Sequence, residues 1–199
     1  MPEQFDAAYW EARHGAHGML GEHEPNPWLV AEAGGLIPGT ALEAGCGQGT
    51  NAIWLAERGW RVTAVDVSPT ALDRAREHAE RRGADVAKRV DWVRGDLTEW
   101  PMPAEHFGLV TAHYVHPTGS HQQLLARLAA AVAPGGTLLV VDHGPSDEHA
   151  HVHTTVDDLA AALDPRTWRV EVAETRVRQG SHDHGTALHD VVLLARRRG

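Results

Sequence analysis

The stretch from residue 40 to residue 66 constrains this chain more than any other. TALEAG (40–45) reads as a short apolar strand, and WRVTAVD (60–66) as a β-branched strand ending on an acid. Between them, TNAIWLAERGW carries Ala52, Ile53, Leu55 and Ala56 on a helical stripe that Gly59 closes. Two strands joined through a helix lie parallel in one sheet. The turn between strand and helix reads Gly45-Cys46-Gly47-Gln48-Gly49, so the backbone there is bare enough to approach a ligand closely.

The same alternation continues. Ser68 before Pro69 predicts a helix start, with the helix running to about Arg82. Residues 90–93 and 106–115 read as strands with little helix between them. Ser120 with Gln123 forms a capping box for a helix through Ala133, and Pro134-Gly135-Gly136 breaks it before the apolar strand at 137–143. Thr155 with Asp158 caps a helix through Leu163. Residues 168–178 and 187–197 then alternate as two strands with no helix between, which predicts an antiparallel hairpin. The expectation is an α/β chain: a mostly parallel sheet covered by helices on both faces, ending in a hairpin.

With 199 residues there is room for one core and not for two ordinary domains, so residues 1–199 are expected to form one domain. Residues 1–38, rich in Trp, His, Gly and Pro, precede the first strand and read as a helical cap or lid over a core at 39–199. No apolar run reaches the ~20 residues of a membrane span, and the first residues lack a signal core. The single cysteine, Cys46, excludes an internal disulfide, so a cytoplasmic location is expected. A net charge of −9 repels phosphate backbones, which points away from nucleic acid. Arg74, Arg76, Arg81 and Arg82 cluster, as the solvated face of a helix does. Nothing in the sequence reports an oligomeric state.

Two cofactor classes use a glycine turn at this position. A dinucleotide loop requires G-x-G-x-x-G/A, and with Gly45 and Gly47 aligned the third small position is Thr50. The sequence is instead Glu43-x-Gly45-x-Gly47-x-Gly49. Asp66, ending the second strand, suits ribose hydroxyls in either class. Gly95-Asp96-Leu97 follows the third strand, and Pro134-Gly135-Gly136 precedes the fifth.

In register, these features resemble the class I S-adenosylmethionine (SAM)-dependent methyltransferases from about residue 40 to residue 197. The resemblance implies a Rossmann-like three-layer sandwich with a seven-stranded sheet and SAM as cofactor. It places Glu43, Gly45, Cys46, Gly47 and Gly49 around the methionine part, Asp66 with Val67 at the ribose, and Asp96 with Leu97 at the adenine. YWEARHG…PNPWLVAEA (9–33) further resembles the small-molecule branch that includes tellurite-resistance and thiopurine methyltransferases. There the front segment closes over the cofactor, which implicates Trp10 and Arg13, with Trp28 nearby. One departure is Gly108, where the family carries an acid.

Methyl transfer from a sulfonium needs alignment and exclusion of water, and a base only if the acceptor arrives protonated. AHYVHP (112–117) ends the fourth strand, where the acceptor is expected, so His113, Tyr114 and His116 are the candidate catalytic residues. On a persisting strand His113 would oppose Tyr114 and His116. His143, ending the fifth strand, is a further candidate. The stretch lacks the Asn/Asp-Pro-Pro-Tyr/Phe pattern of exocyclic-amine base methylation, and the one cysteine lies in the cofactor loop. The expected acceptor is a small molecule offering S, O or N, or a metalloid oxyanion.

Two alternatives remain at this point. One is a nicotinamide-dependent oxidoreductase. The other is a non-catalytic binder using the alternating His149, His151 and His153 and the pair His182 and His184, since imidazoles ligate Zn and Cu. The two histidine groups are expected at opposite ends of the sheet, and no resident metal is expected.

Overall fold

A computed structural model describes residues 5–16, 24–144, 155–179 and 187–199. In chain order the elements are α1 (Ala7–Ala16), α2 (Pro27–Ala33), β1 (Thr40–Ala44), α3 (Thr50–Glu57), β2 (Arg61–Asp66), α4 (Pro69–Arg82) and α5 (Ala84–Ala87). They continue with β3 (Val90–Arg94), β4 (Phe107–His113), α6 (His121–Ala131), β5 (Val132–His143), α7 (Val156–Ala161), β6 (Trp168–Gln179) and β7 (Ala187–Arg197).

The seven strands form one sheet in the order β3-β2-β1-β4-β5-β7-β6. All pairs from β3 to β5 are parallel, and β7 runs antiparallel to both β5 and β6. β1 pairs with β2 on one side and β4 on the other, so strand order reverses there and a crevice opens beyond the carboxyl ends. Period-two alternation divides the core between the two faces. Leu42, Ala44 and Val110 meet Leu124 and Leu128 of α6 and Leu159 of α7. Ala41, Val62 and Leu109 meet Leu29 of α2, Leu55 of α3 and Leu72 of α4. The result is the expected three-layer α/β sandwich.

Local chemistry sets the ends of elements. Ser68 accepts from the Ala71 N–H at 3.1 Å, with Pro69 at the first helical turn. Thr155 and Asp158 make the full reciprocal capping box. Some boundaries differ from the sequence expectation. α6 ends at Ala131 and α7 at Ala161, and the short α5 was not foreseen. Pro134-Gly135-Gly136 does not precede β5 but lies within it. Pairing with β4 jumps from Phe107↔Val132 to Leu109↔Thr137, so the extra residues bulge out, with Gly135 at φ 76°.

The expectation that the sixth strand runs opposite to the fifth is also corrected. Since β7 opposes both neighbours, β6 runs parallel to β5, and His143 and Gln179 end at the same edge of the sheet. His149, His151, His153, His182 and His184 themselves lie outside the described residues. Among the described residues no group of three potential ligands could hold a metal, and no helix is long and apolar enough to cross a membrane.

Phe107 opens β4 at 2% exposure and packs in the cluster beneath α6. Phe107→Ala is expected to destabilise the fold by about 3–5 kcal/mol, through lost burial plus a residual cavity. Urea denaturation followed by circular dichroism measures this as a lower midpoint at unchanged slope.

Candidate functional site

The crevice at the carboxyl edge holds about 820 Å³ of space, part of it open to solvent. Its floor is the turn after β1, and β2 holds that turn. Gly45 N and Cys46 N both donate to Val65 O, at 2.9 and 3.0 Å, and Gly47 N donates to Asp66 Oδ2 at 2.7 Å. Gly47 stands at φ 51°, and a Cβ there would meet nothing nearer than His14 Cε1 at 3.9 Å, so its bare face is turned to the cleft. Gly49 is required for packing: at φ 85°, a Cβ would come within 2.5 Å of Trp92 and 2.9 Å of Ala75. Cys46 is buried in this turn, and burial pushes its thiol well up, so it remains a neutral small side chain.

The acids are placed by neighbouring strands. Asp66 lines the cleft while Oδ1 accepts from Ser68 N at 2.9 Å. Asp96 follows β3 and lines the cleft, with Oδ1 accepting from Thr98 N and Oγ1 at 2.8 and 2.6 Å. Val67 and Leu97 line the cleft beside them. Glu43 does not. It is 1% exposed, and its Oε1 faces Asn51 Nδ2 at 3.1 Å and His113 Nδ1 at 3.3 Å. Its Oε2 is buried without a hydrogen-bond partner among the described residues.

α1 forms the wall opposite the loop. Trp10 and His14, four residues apart on one helix face, both line the cleft. Arg13 is exposed on α1 and is not among the residues that line the cleft. The helix is fastened to α4. Glu11 accepts from Ser68 Oγ at 2.6 Å, from Thr70 N at 3.3 Å and from the Thr70 hydroxyl, while Arg74 donates to His14 O at 2.6 Å.

The end of β4 separates the three expected catalytic residues. The strand stops at His113, and Tyr114 takes a left-handed φ of 54°, so the expected alternation fails after His113. His113 turns inward, at 8% exposure, onto Glu43, Asn51 and Thr111, and does not line the cleft. Its Nδ1 can donate to Glu43 or accept from Asn51, not both at once. Tyr114 lines the cleft with its ring, but its hydroxyl donates to Asp190 Oδ2 at 2.9 Å and accepts from Asn26 Nδ2 at 3.3 Å. His116 is the expected residue whose imidazole reaches the cleft, stacked on Phe5 at 5.1 Å and parallel to Trp10 at 6.2 Å. His143 stacks on Tyr114 at 4.4 Å and on His116 at 5.8 Å.

Sequence reasoning missed Phe5, His14 and Asp190. His14 was findable by its i+4 spacing from Trp10. Asp190 was findable as the one acid within the apolar run of β7. It is wholly buried, and Trp28 Nε1 donates to the same Oδ2 at 2.7 Å. From Tyr114 the polar chain continues through Asn26 to Asn51, at 2.9 Å, and so to Glu43. It ties α2, β4 and β7 to the cofactor turn.

Glu11 sits below the ordinary carboxylate value of 4.5, chiefly because the Ser68 hydroxyl, then that of Thr70, donates to it. A lowered folded pKa means the contact stabilises fully above that ordinary value and is lost as pH falls through the folded one. Backbone amide NMR signals of residues 7–16 are therefore expected to shift away from the folded positions below about pH 4. Glu11→Gln is expected to shift them already at pH 7.

Comparison with known proteins agrees with this geometry. A family profile described as a methyltransferase domain matches residues 41–136. Trans-aconitate 2-methyltransferase of Paracidovorax citrulli is 33% identical over 141 residues, 69% of this chain and 50% of that protein. Thiopurine S-methyltransferase of Pseudomonas fluorescens is 27% identical over 190 residues, 84% of this chain and 86% of that one. Several curated relatives are longer, and the chain spans about half the length of the trans-aconitate enzyme. A solved structure from work on conversion of a disulfide bond into a thioacetal group during echinomycin biosynthesis superposes with a TM-score of 0.71. It is 25% identical and is matched over 92% of its chain and 100% of this one. These matches give SAM and not a nicotinamide dinucleotide as the cofactor, and the chain belongs to the class I SAM-dependent methyltransferases.

Proposed function

We propose that this chain binds SAM in the crevice above Gly45–Gly49 and transfers its methyl group to a small molecule held at the carboxyl end of β4. One observation carries the reading: the bare face of Gly47, both strand-end acids and the aromatic wall of α1 converge on a single cleft. Asp66 would hold the ribose hydroxyls, and Asp96 the adenine amino group between Val67 and Leu97. Glu43, with a buried oxygen that has no partner among the described residues, suits the methionine ammonium from behind the turn. SAM supplies a methyl group already activated on a sulfonium. The chain aligns the acceptor against it and keeps water out, with Phe5 and Trp10 closing the cleft.

His116 is the group placed to take a proton from an S–H, O–H or N–H acceptor. Tyr114, its hydroxyl engaged by Asp190 and Asn26, serves as a wall. Among the described residues lining the cleft there is no lysine or arginine. Among these described residues a polycarboxylate or metalloid oxyanion would find no fixed positive charge, so a neutral or amine-bearing acceptor fits them better. The same lack argues against a phosphate backbone as substrate, and the single buried thiol suits a cytoplasmic setting.

Calorimetry with S-adenosylhomocysteine tests the reading. The wild type is expected to bind, and Asp66→Ala combined with Gly47→Val to weaken binding about a hundredfold, through a lost charged hydrogen bond and a β-branched residue at positive φ. No binding by the wild type ends the proposal. His116→Gln is expected to keep that affinity while slowing turnover across a panel of thiols, phenols and amines. An unchanged rate with every acceptor removes the role given to His116.

A further inference from the structure

A cleft for SAM must accommodate the carboxylate that sits beside the methionine ammonium, and the turn facing it has few donors left. Gly45 N and Cys46 N are committed to Val65 O, Gly47 N to Asp66, and Gly49 N to Cys46 O at 2.9 Å. At these four positions the backbone therefore offers no nest for an anion. Two of the described lining side chains can carry a positive charge, His14 and His116. His116 lies among the Phe5, Trp10 and His143 rings, on the acceptor side. His14 stands over the turn itself, its Cε1 being the nearest atom to the space a Gly47 side chain would fill.

We propose that His14 pairs with the cofactor's carboxylate as an imidazolium, so that cofactor binding takes up a proton at this residue. The proposal rests on the SAM reading above and deepens it by linking occupancy of the cleft to pH.

The charges around His14 come from three elements. Asp66 at the end of β2 and Glu11 on α1 favour its protonation, while Arg74 on α4 and Arg13 on α1 oppose it. Arg74 also donates to the backbone oxygen of His14, and the Trp10 ring lies 6.4 Å from the imidazole. Burial outweighs these and holds the His14 pKa below its ordinary value of 6.5, so the imidazole of the empty cleft is neutral at pH 7. A bound carboxylate acts in the opposite direction and raises it. Affinity must then rise as pH falls from 8, and level off once the imidazole of the empty cleft is itself protonated, below the ordinary histidine range.

Calorimetry with S-adenosylhomocysteine between pH 8 and pH 6 reads this directly. Two buffers of different ionisation enthalpy at each pH count the protons exchanged. The wild type is expected to take up a proton near neutrality and to bind about tenfold more tightly at pH 6 than at pH 8, as a charged hydrogen bond gives. His14→Gln is expected to bind at the weaker, pH 8 level throughout, without that uptake. His14→Arg is expected to bind tightly at pH 8, with no proton exchanged. Equal proton uptake by wild type and His14→Gln overturns the proposal, as does wild-type affinity independent of pH. Binding without proton uptake overturns the role of His14 alone, whereas no binding by the wild type overturns the cofactor reading with it.

Discussion

The site depends on a short set of hydrogen bonds by which β2 holds the turn that follows β1. Val65 O takes two N–H groups and Asp66 a third, so a stretch of glycines that would otherwise sample many conformations has one. This fixes where α3 begins, because Gly49 is both the last residue of the turn and the residue before that helix. It also gives Asp66 two tasks, bracing the turn and facing the cleft. The parallel register of β1 with β2, Ala44 opposite Val65, sets both at once.

Much of this was legible before any coordinates. Alternating strands and helices, caps at Ser68 and Thr155, and the final helix-free pair of strands specify a parallel sheet with one antiparallel strand, because each is a local, periodic signal. The side of the cleft proposed for the cofactor was legible for the same reason: Gly47, Asp66 and Asp96 lie at or just beyond strand ends, and strand ends converge at one edge of a parallel sheet. The side proposed for the acceptor was not. His113 and His116 lie three residues apart and look equivalent in sequence, yet one is buried on Glu43 and the other lines the cleft. The difference is a single left-handed residue, Tyr114, and that conformation is stabilised by partners far away in the chain. Arg13 and His14 differ similarly, by one step round a helix whose orientation is set by Glu11 gripping α4.

The buried carboxylates have different surroundings and different consequences. Asp190 receives two donors on one oxygen and sits in register with Arg176, which is itself engaged with Glu32 and lies over the Trp28 ring. Glu43 shares Asn51 and His113 but keeps one oxygen without a partner among the described residues. Leaving such an atom buried costs roughly 1–3 kcal/mol. A satisfied acid such as Asp190 secures the walls of the cleft, whereas Glu43 carries that cost into the folded state behind the turn.

The place of β7 carries a consequence for how the cleft comes into being. It follows every other described strand in the chain, yet it lies between β5 and β6 and brings Asp190 to the phenol of Tyr114. As the chain emerges during synthesis, β1 to β5 can pair while the outer edge of β5 still stands open. Until β7 inserts, Tyr114 lacks the acid that receives its hydroxyl and Trp28 the acceptor of its indole N–H, so this side of the cleft and the packing of α2 remain unset. The nascent chain can thus form its glycine turn before the wall of the cleft around Tyr114 is fixed, so the two sides of the cleft are completed one after the other.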